Sequence, residues 1–456
     1  MLVSMPETTL RVRSERAARA LFRLLFLGGL AGFGGAAQAG DRLQGRLEIG
    51  HLFSRTAGTQ QGTAFSHLLS TLEFVKGSFA FQLDGRARLG LSPDQESRQD
   101  FSRLCLEYHQ EDRFWVGAGR QSFVTLGGAR VDGVFGGLSL GSKLRALTFA
   151  GLSPNPWTGA LNKDFTTAGL GYVWSGKSSV HGGGLVFQAY QGEGDRLYLY
   201  HQTQVTLTSS LRLLALSLVD ALSPRRFLGD LRETPVADQS GLERLNLTHG
   251  LVSLRYAPSA AWDLGLRAQH VFTILPNRWW KDWLEQERAR RGFIMGSEDP
   301  IGTRRSSLEL SGSRQIAGRL AAFATAEVER NHSHTDVGYG VRAGVSWSAR
   351  HLPYLELSAG QSRRDVAEVT LLTARGEADF EDLLTLTWEA SGMRSAPLDR
   401  KLEAVWLLDA GAGAGVSLAS LSAHTRGATI WLFYQCLAEP GMTVHVGMGR
   451  LVVQLF

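Results

Sequence analysis

Arginine is the residue of this chain best suited to binding chemistry, since the 456 residues include 42 arginines and only 6 lysines. A guanidinium group is planar and donates forked hydrogen bonds to carboxylates and phosphates, so a passage lined with arginine suits acidic solutes such as anionic sugars. A GC-rich genome also favours arginine over lysine, and the count alone therefore does not indicate a function. The positions of the arginines carry more information than their number.

Charged side chains recur at every second position of otherwise apolar segments. In residues 79–91, Phe79 and Phe81 share one face of the predicted strand, while Arg86 and Arg88 share the other. The charged face must border water, because an arginine that faces lipid costs ~2–4 kcal/mol at the bilayer midplane. The residues of this polar face that we predict to line a solute path are Arg86, Arg88, Arg103, Glu107, Arg255, Arg267 and Arg342.

Acidic residues are interleaved with these arginines, and Asp84, Asp263 and Glu389 fall on the same predicted face. An ion-pair network that stiffens the wall is therefore the alternative to a solute path. A mixed ring of charges can still select solutes by charge at its narrowest point.

No segment carries a catalytic signature in the strand–turn–helix context that it requires. H-E-x-x-H is absent from the sequence, and the patterns G-x-S-x-G at 137–141 and G-x-x-x-x-G-K-S at 171–178 fall among segments with strand alternation and are not followed by a helical pattern. His332, His334 and Asp336 could bind a metal, but two loop histidines do not ensure converging ligands, and a solvated loop is the better interpretation. We therefore predict no enzyme activity, no metal and no cofactor.

The elements that must position these charges are strands, because a period of two runs from residue 43 onward in segments broken by turn residues. Strands with one apolar and one polar face are typical of antiparallel transmembrane β-barrels, and aromatic residues near strand ends, such as Trp262 and Trp347, fit their girdles. A large soluble periplasmic domain is the alternative. The strand pattern gives a range of 16 to 22 strands, a size at which side chains cannot fill the lumen.

The N-terminal residues 1–39 have the order of a secretory signal peptide. Arginines precede an apolar run over residues 24–33, and Ala37-Gln38-Ala39 forms a small-residue cleavage site. The leader holds five Arg against two Glu, so its removal lowers the formal net charge from +5 to +2 and leaves no support for a nucleic-acid partner. The predicted mature barrel spans residues 40–456, and its terminal Phe456 is typical of outer-membrane barrels.

Three segments break the alternation of the strands. Residues 153–165 and 223–244 are predicted to be long polar connections on the extracellular side. Residues 276–296, with three tryptophans at helical spacing, predict a short helical loop insertion over or into the pore, with a solvated turn as the alternative. The two cysteines, Cys105 and Cys436, are expected to be unpaired, although the compartment would permit a disulfide.

Two stretches resemble alginate-export-type outer-membrane barrels. They are residues 119–137, with a G-R-Q and a D-G pattern, and residues 270–320, in which Ile301-Gly302 matches a strand entry of that family. The resemblance implies an 18-stranded barrel that conducts an exopolysaccharide outward with a periplasmic and inner-membrane assembly. It also places Arg120, Gln121, Arg130, Asp132 and Gly133 on the two motifs, and it adds Arg120, Arg130 and Asp132 to the seven predicted path residues, which makes ten.

The sequence thus predicts an all-β, antiparallel transmembrane barrel of the cell outer membrane, with 18 strands favoured. Its predicted function is export of an exopolysaccharide of anionic character, with outer-membrane lipid, the polysaccharide cargo and the export machinery as partners. A diffusion porin for small solutes is the first alternative, and an outer-membrane hydrolase is the second.

Overall fold

The chain folds into a single closed sheet of 22 antiparallel strands. The computed structural model describes residues 42–57, 62–91, 98–110, 113–155, 160–224, 242–272, 304–332, 337–349, 352–364, 367–380, 383–398, 403–418 and 425–455. Each strand pairs with the next along the chain, and β1 pairs with β22, so the sheet has no free edge. Closure removes the unpaired backbone groups that an open sheet would expose to lipid.

The strands have the lengths and order of an up-and-down barrel. Their bounds are β1 Arg42–Thr56, β2 Gly62–Lys76, β3 Phe79–Gly90, β4 Arg98–Gln110, β5 Phe114–Phe123, β6 Ala129–Leu140, β7 Leu144–Leu152, β8 Phe165–Ser175, β9 Ser179–Tyr190, β10 Glu193–Thr208, β11 Leu211–Pro224, β12 Leu242–Ser259, β13 Trp262–Phe272, β14 Arg304–Ala317, β15 Leu320–Asn331, β16 Val337–Ala349, β17 Leu352–Arg364, β18 Ala367–Phe380, β19 Leu384–Pro397, β20 Val405–Leu418, β21 Thr425–Glu439 and β22 Met442–Leu455. A 3-10 turn, Val124–Leu126, lies between β5 and β6.

The favoured count of 18 strands is wrong, and the observed 22 lie at the upper end of the predicted range. The number 18 follows from the family resemblance, whereas the strand pattern includes short strands, such as β7 with 9 residues, that alternation alone does not separate from their neighbours. The predicted helical insertion at 276–296 and the predicted signal peptide at 1–39 both lie outside the described residues. Among the residues that are described, no helix is long and apolar enough to cross a membrane.

The two faces of the wall differ as the alternation predicts. On β14, Leu308 and Leu310 point outward and are 51% and 59% exposed, while Glu309 between them points inward. The same alternation holds on β16, where the outward Val341 neighbours the inward Arg342. A continuous apolar outer surface around a polar interior is the surface that a lipid bilayer covers.

The two rims of the barrel carry connections of different length. The strands that flank the longest connections, residues 153–164, 225–241 and 273–303, meet those connections at one rim, and the strands that meet at the other rim are separated by shorter connections. Longer loops mark the extracellular rim of outer-membrane barrels. The predicted connection at 153–165 is confirmed within one residue, whereas that at 223–244 is too wide, because its ends continue the ladder of β11 and β12.

The seam between the first and last strands is held by charge as well as by the backbone. The Arg450 guanidinium donates to the Glu48 carboxylate across the seam at 2.8 Å, and Arg46 donates to the same carboxylate at 3.0 Å. Arg450 and Val452 therefore face the lumen, and the clean apolar row of Leu451 and Val453 faces outward. Phe456 itself lies outside the described residues.

Candidate functional site

The hairpin of β5 and β6 leaves the barrel wall toward the long-loop rim. Pairing of β4 with β5 stops at Leu104 and Arg120, and pairing of β6 with β7 begins at Asp132 and Leu152. Residues 121–131 are therefore paired only with each other and have no neighbouring wall strand. We call these residues the hairpin tip.

Gly119 allows the hairpin tip to separate from the wall. Its φ angle is +120°, a conformation that L-residues with a side chain rarely adopt. A Cβ atom at this position would also press on the carbonyl oxygen of Leu104 in the neighbouring strand. Only glycine satisfies both conditions at the point where β5 turns away from β4.

One side of the hairpin tip is apolar and is buried against the luminal wall formed by β7 to β10. Leu126 and Val131 are fully buried, and Phe123 stacks on Phe149 of β7 with ring centroids 4.6 Å apart. The Tyr198 hydroxyl on β10 donates to the Leu126 carbonyl oxygen at 3.2 Å. The cluster comprises Cys105, Phe123, Leu126, Ala129, Val131, Phe135, Phe149, Val186, Tyr198 and Tyr200.

The Leu126 side chain occupies a depression in the wall (the dent), which exists because the wall residues there are glycines. Its terminal methyl group lies against the backbone of β8 and β9, where a Cβ at Gly171 or Gly184 would meet it at 2.8 and 2.6 Å. Since β8 and β9 are the second and third strands after β6, the hairpin tip reaches across part of the lumen. Burial of these apolar side chains holds it there.

A polar network lies between the hairpin tip and β4. The Gln121 side chain accepts from Arg103 Nε at 2.7 Å and donates to Glu107 at 3.3 Å. Glu107 is only 5% exposed and also contacts His109 at 3.0 Å. Each buried polar group of this network therefore has a partner, as buried polar groups require.

The other side of the hairpin tip carries charge toward β4. Arg120 and Asp132 form a bidentate ion pair at 2.5 and 2.6 Å at the base of the tip, and each side chain is 11% exposed. Arg130 lies 3.5 Å from Asp100, which also accepts from Arg86 at 3.3 Å. Charges from the tip and from the wall thus meet on one side of the lumen.

Two luminal cavities lie along this charged side. The first has a volume of about 580 Å³ and is lined on the tip by Arg130 and on the wall by Arg46, Glu48, Thr71, Asp84, Arg86 and Asp100. The second, of about 450 Å³, adds Glu73, Gln82 and Arg103. Both volumes are in the range of small-molecule sites.

Six of the ten predicted path residues are brought together here, namely Arg86, Arg103, Glu107, Arg120, Arg130 and Asp132. The other four are luminal but apart from the hairpin tip. Arg88 covers the Phe65 ring at 4.1 Å, and Arg255 pairs with Asp263 near the short-turn rim. Arg267 donates to Gln269 at 3.1 Å, and Arg342 donates to Ser358 at 2.9 Å.

Sequence reasoning missed the apolar side of the hairpin tip and several acidic partners. Leu126 and Val131 lie in the 119–137 stretch that is considered only for its resemblance, and the glycine pair Gly127-Gly128 is the signal that could have marked a turn there. The sequence shows Asp100 and Glu48 as charged residues, but it does not show that they pair with Arg130 and Arg450 on other strands.

The residues considered for other chemistry do not converge on a site. Within the described ranges, no group of three potential ligands could hold a metal, and His332 is hydrogen-bonded to Ser306 at 3.0 Å. His334 and Asp336 lie outside those ranges. Cys105 and Cys436 are both free thiols, as expected.

The closed antiparallel barrel, its apolar outer face and its polar lumen define an outer-membrane β-barrel, and the predicted localisation in the outer membrane is confirmed. No family model matches the sequence, and no curated protein matches it.

Solved structures to which the chain is similar are outer-membrane porins of Pseudomonas aeruginosa. OccK2 (OpdF) is 12% identical with a TM-score of 0.49, covering 91% of this chain and 98% of OccK2. The structure of OccK2 in complex with glucuronate is 13% identical with a TM-score of 0.47, covering 91% of this chain and 98% of that chain. OccK11 (OpdR) is 11% identical with a TM-score of 0.46, covering 91% of this chain and 96% of OccK11. At these identities no ligand or residue role carries over.

The resemblance to alginate-export-type barrels is wrong. The 22 strands of this barrel differ from the 18 that the resemblance implies. The motifs that carried the resemblance, at 119–137, are explained by the local needs of the hairpin tip, which include a glycine at 119 and the Arg120–Asp132 pair.

Proposed function

We propose that this barrel is a porin through which small polar or charged solutes cross the outer membrane. The observation that carries the proposal is the hairpin tip, which is packed against one luminal wall and leaves a charged passage beside the other. A 22-stranded wall encloses a lumen too wide for side chains to fill, so a folded-in segment is what sets the width of the passage.

The lining of the passage supports solutes that are small and polar. Arg46, Arg86 and Arg130 share the first cavity with Glu48, Asp84 and Asp100, so both signs of charge face the solute. Many of these groups are paired with each other, which reduces the net field and favours polar solutes of either sign over a long polyanion.

The test is solute entry into liposomes that contain the purified barrel, measured by osmotic swelling. We expect monosaccharides and amino acids to enter and longer oligosaccharides of the same sugar to be excluded. Equal entry of short and long saccharides would contradict a narrow porin and would favour a polysaccharide path. Liposomes that contain the heat-unfolded protein serve as the control for leakage.

A further inference from the structure

A group of basic side chains on the outer face of the barrel lies apart from the lumen. Arg304 on β14, Arg330 and His332 at the end of β15, and His270 on β13 form what we call the outward basic patch. Backbone pairing joins them, since His270 lies opposite Ser306 and Arg330 lies opposite the same serine on the other side. Their neighbourhood is therefore fixed by strand register.

The patch points outward because its residues share the alternation of the lipid-facing row. On β14, Arg304 and Ser306 continue the row of the exposed Leu308 and Leu310. On β15, Arg330 follows the 50%-exposed Val328 at a spacing of two. No register shift interrupts the pairing of these positions.

The patch lies at the level where lipid headgroups are found. On β16, Tyr339 is opposite Val328 and is an exposed outward aromatic, of the kind that marks the membrane boundary. Arg330 lies opposite Val337, one outward position nearer the long-loop rim than this tyrosine. The apolar row lies below the patch, and the extracellular rim lies above it.

The arginines of the patch differ from the luminal arginines in their partners. Luminal Arg120, Arg375 and Arg450 each pair with a carboxylate within 2.9 Å. Among the residues that the structure describes, no carboxylate lies within ion-pair distance of Arg304 or Arg330, and Arg304 instead covers the Phe272 ring at 4.5 Å. Two guanidinium groups next to lipid without an acidic partner are costly unless an anion from outside meets them.

The imidazoles of the patch are held in place by a shared hydroxyl. His270 Nδ1 lies 2.9 Å from Ser306 Oγ, which in turn lies 3.0 Å from His332 Nε2, and the two rings meet edge to face at 6.1 Å. The backbone N–H of His332 donates to the Arg304 carbonyl oxygen at 2.7 Å. These hydrogen bonds give the two imidazoles a fixed arrangement beside the guanidinium groups of Arg304 and Arg330.

We propose that the outward basic patch binds the phosphate groups of a phosphorylated glycolipid in the outer leaflet. Arginine forks match phosphate oxygens, and the apolar row of Leu308, Leu310 and Val328 below them would pack against the acyl chains. Such a lipid places its phosphate groups nearer the extracellular rim and its acyl chains nearer the membrane centre, which matches the arrangement of the patch and the apolar row. The proposal does not depend on what crosses the lumen.

The experiment measures binding of lipid A to the detergent-purified full chain, with diphosphorylated and dephosphorylated forms as the two probes. We expect the diphosphorylated form to bind more tightly than the dephosphorylated form. The double variant Arg304→Gln with Arg330→Gln should lose this preference, because each replacement lowers the ratio of the two affinities by about fivefold. Arg314→Gln is the matched control, because Arg314 is an outward arginine of the same strand at the opposite rim, where it covers the Trp262 ring at 4.8 Å.

Equal affinity of the wild-type protein for the two forms of lipid A would overturn the proposal without reference to any variant. A double variant that keeps the preference, or an Arg314→Gln variant that loses it equally, would also overturn it. Displacement of the lipid by inorganic phosphate at the same concentration would show that the acyl chains contribute nothing, and would contradict a lipid site. Shift in gel mobility on heating verifies that each variant is folded.

Discussion

Single residues decide how charge is distributed inside the barrel. Luminal arginines are largely neutralised by carboxylates, as in the Arg342–Glu356–Arg375 group, where one buried carboxylate, Glu356, serves two guanidinium groups. The interpretation of the arginines as an ion-pair network therefore accounts for many of them. The residues that are placed to meet a solute are those around the hairpin tip, where the pairs lie next to open cavities.

Replacement of Asp132 by Asn tests the pair at the base of the hairpin tip. Arg120 would keep its charge in a site that is only 11% exposed, and loss of one partner of such a pair costs about 3 kcal/mol. We expect the tip to separate from β4 more often. The measurement is labelling of Cys105, which is 3% exposed beneath the tip, by a water-soluble maleimide in a Cys436→Ser background.

The matched control for this variant is Asp263→Asn. Asp263 also pairs with an arginine, Arg255, but the pair is exposed and lies away from the hairpin tip. Exposed ion pairs contribute little to stability, so Cys105 should stay unreactive in this control. Equal labelling of Cys105 in the Asp132 variant and in the parent would show that the pair does not hold the tip.

At the scale of elements, the hairpin tip behaves as a separate unit attached to the wall on one side. Its apolar contacts are with β7 to β10, while its polar contacts are with β4. Alternation predicts which residues of β5 and β6 face inward, but it does not predict that the two strands leave the wall. The departure of β5 and β6 from the wall depends on the φ angle of Gly119 and on the dent at Gly171 and Gly184. These two glycines lie more than 50 residues after Gly119 in the sequence.

Replacement of Leu126 by Asp tests the anchoring of the hairpin tip. Leu126 has no exposed surface, and removal of a buried leucine side chain costs about 2–5 kcal/mol even without an added charge. We expect the tip to leave its dent and Cys105 to become reactive. Val124→Asp is the control on the same 3-10 turn, since Val124 is 72% exposed and should tolerate the charge. Equal labelling of the two variants would contradict the anchoring role.

At the scale of the whole molecule, the sequence predicts the barrel but not its size. Strand alternation and the apolar outer row are properties of each segment, so they can be read locally, as at Phe79 to Arg88. The strand count depends on where tight turns fall, and turns such as Gln191-Gly192 are short enough to merge two strands into one pattern. The family resemblance then favoured a count that the pairing of β1 with β22 does not allow.

The partner residues of the candidate site were beyond sequence reasoning for a similar reason. Arg130 and Asp100 come from β6 and β4 and meet only because the hairpin tip turns inward. Leu126 meets Tyr198, which follows it by 72 residues in the chain. The sequence contains these residues as members of an alternating pattern, and the closure of the barrel brings them into contact.

Single-channel conductance of the barrel in planar bilayers shows whether the hairpin tip narrows the pore. Residues 122–130 would be replaced by Asn-Gly, a two-residue turn that suits the directly opposed Gln121 and Val131. If the hairpin tip narrows the pore, the shortened protein will conduct more current per channel than the parent and will admit larger solutes. Equal conductance of the two folded proteins would contradict the claim that the tip defines the passage.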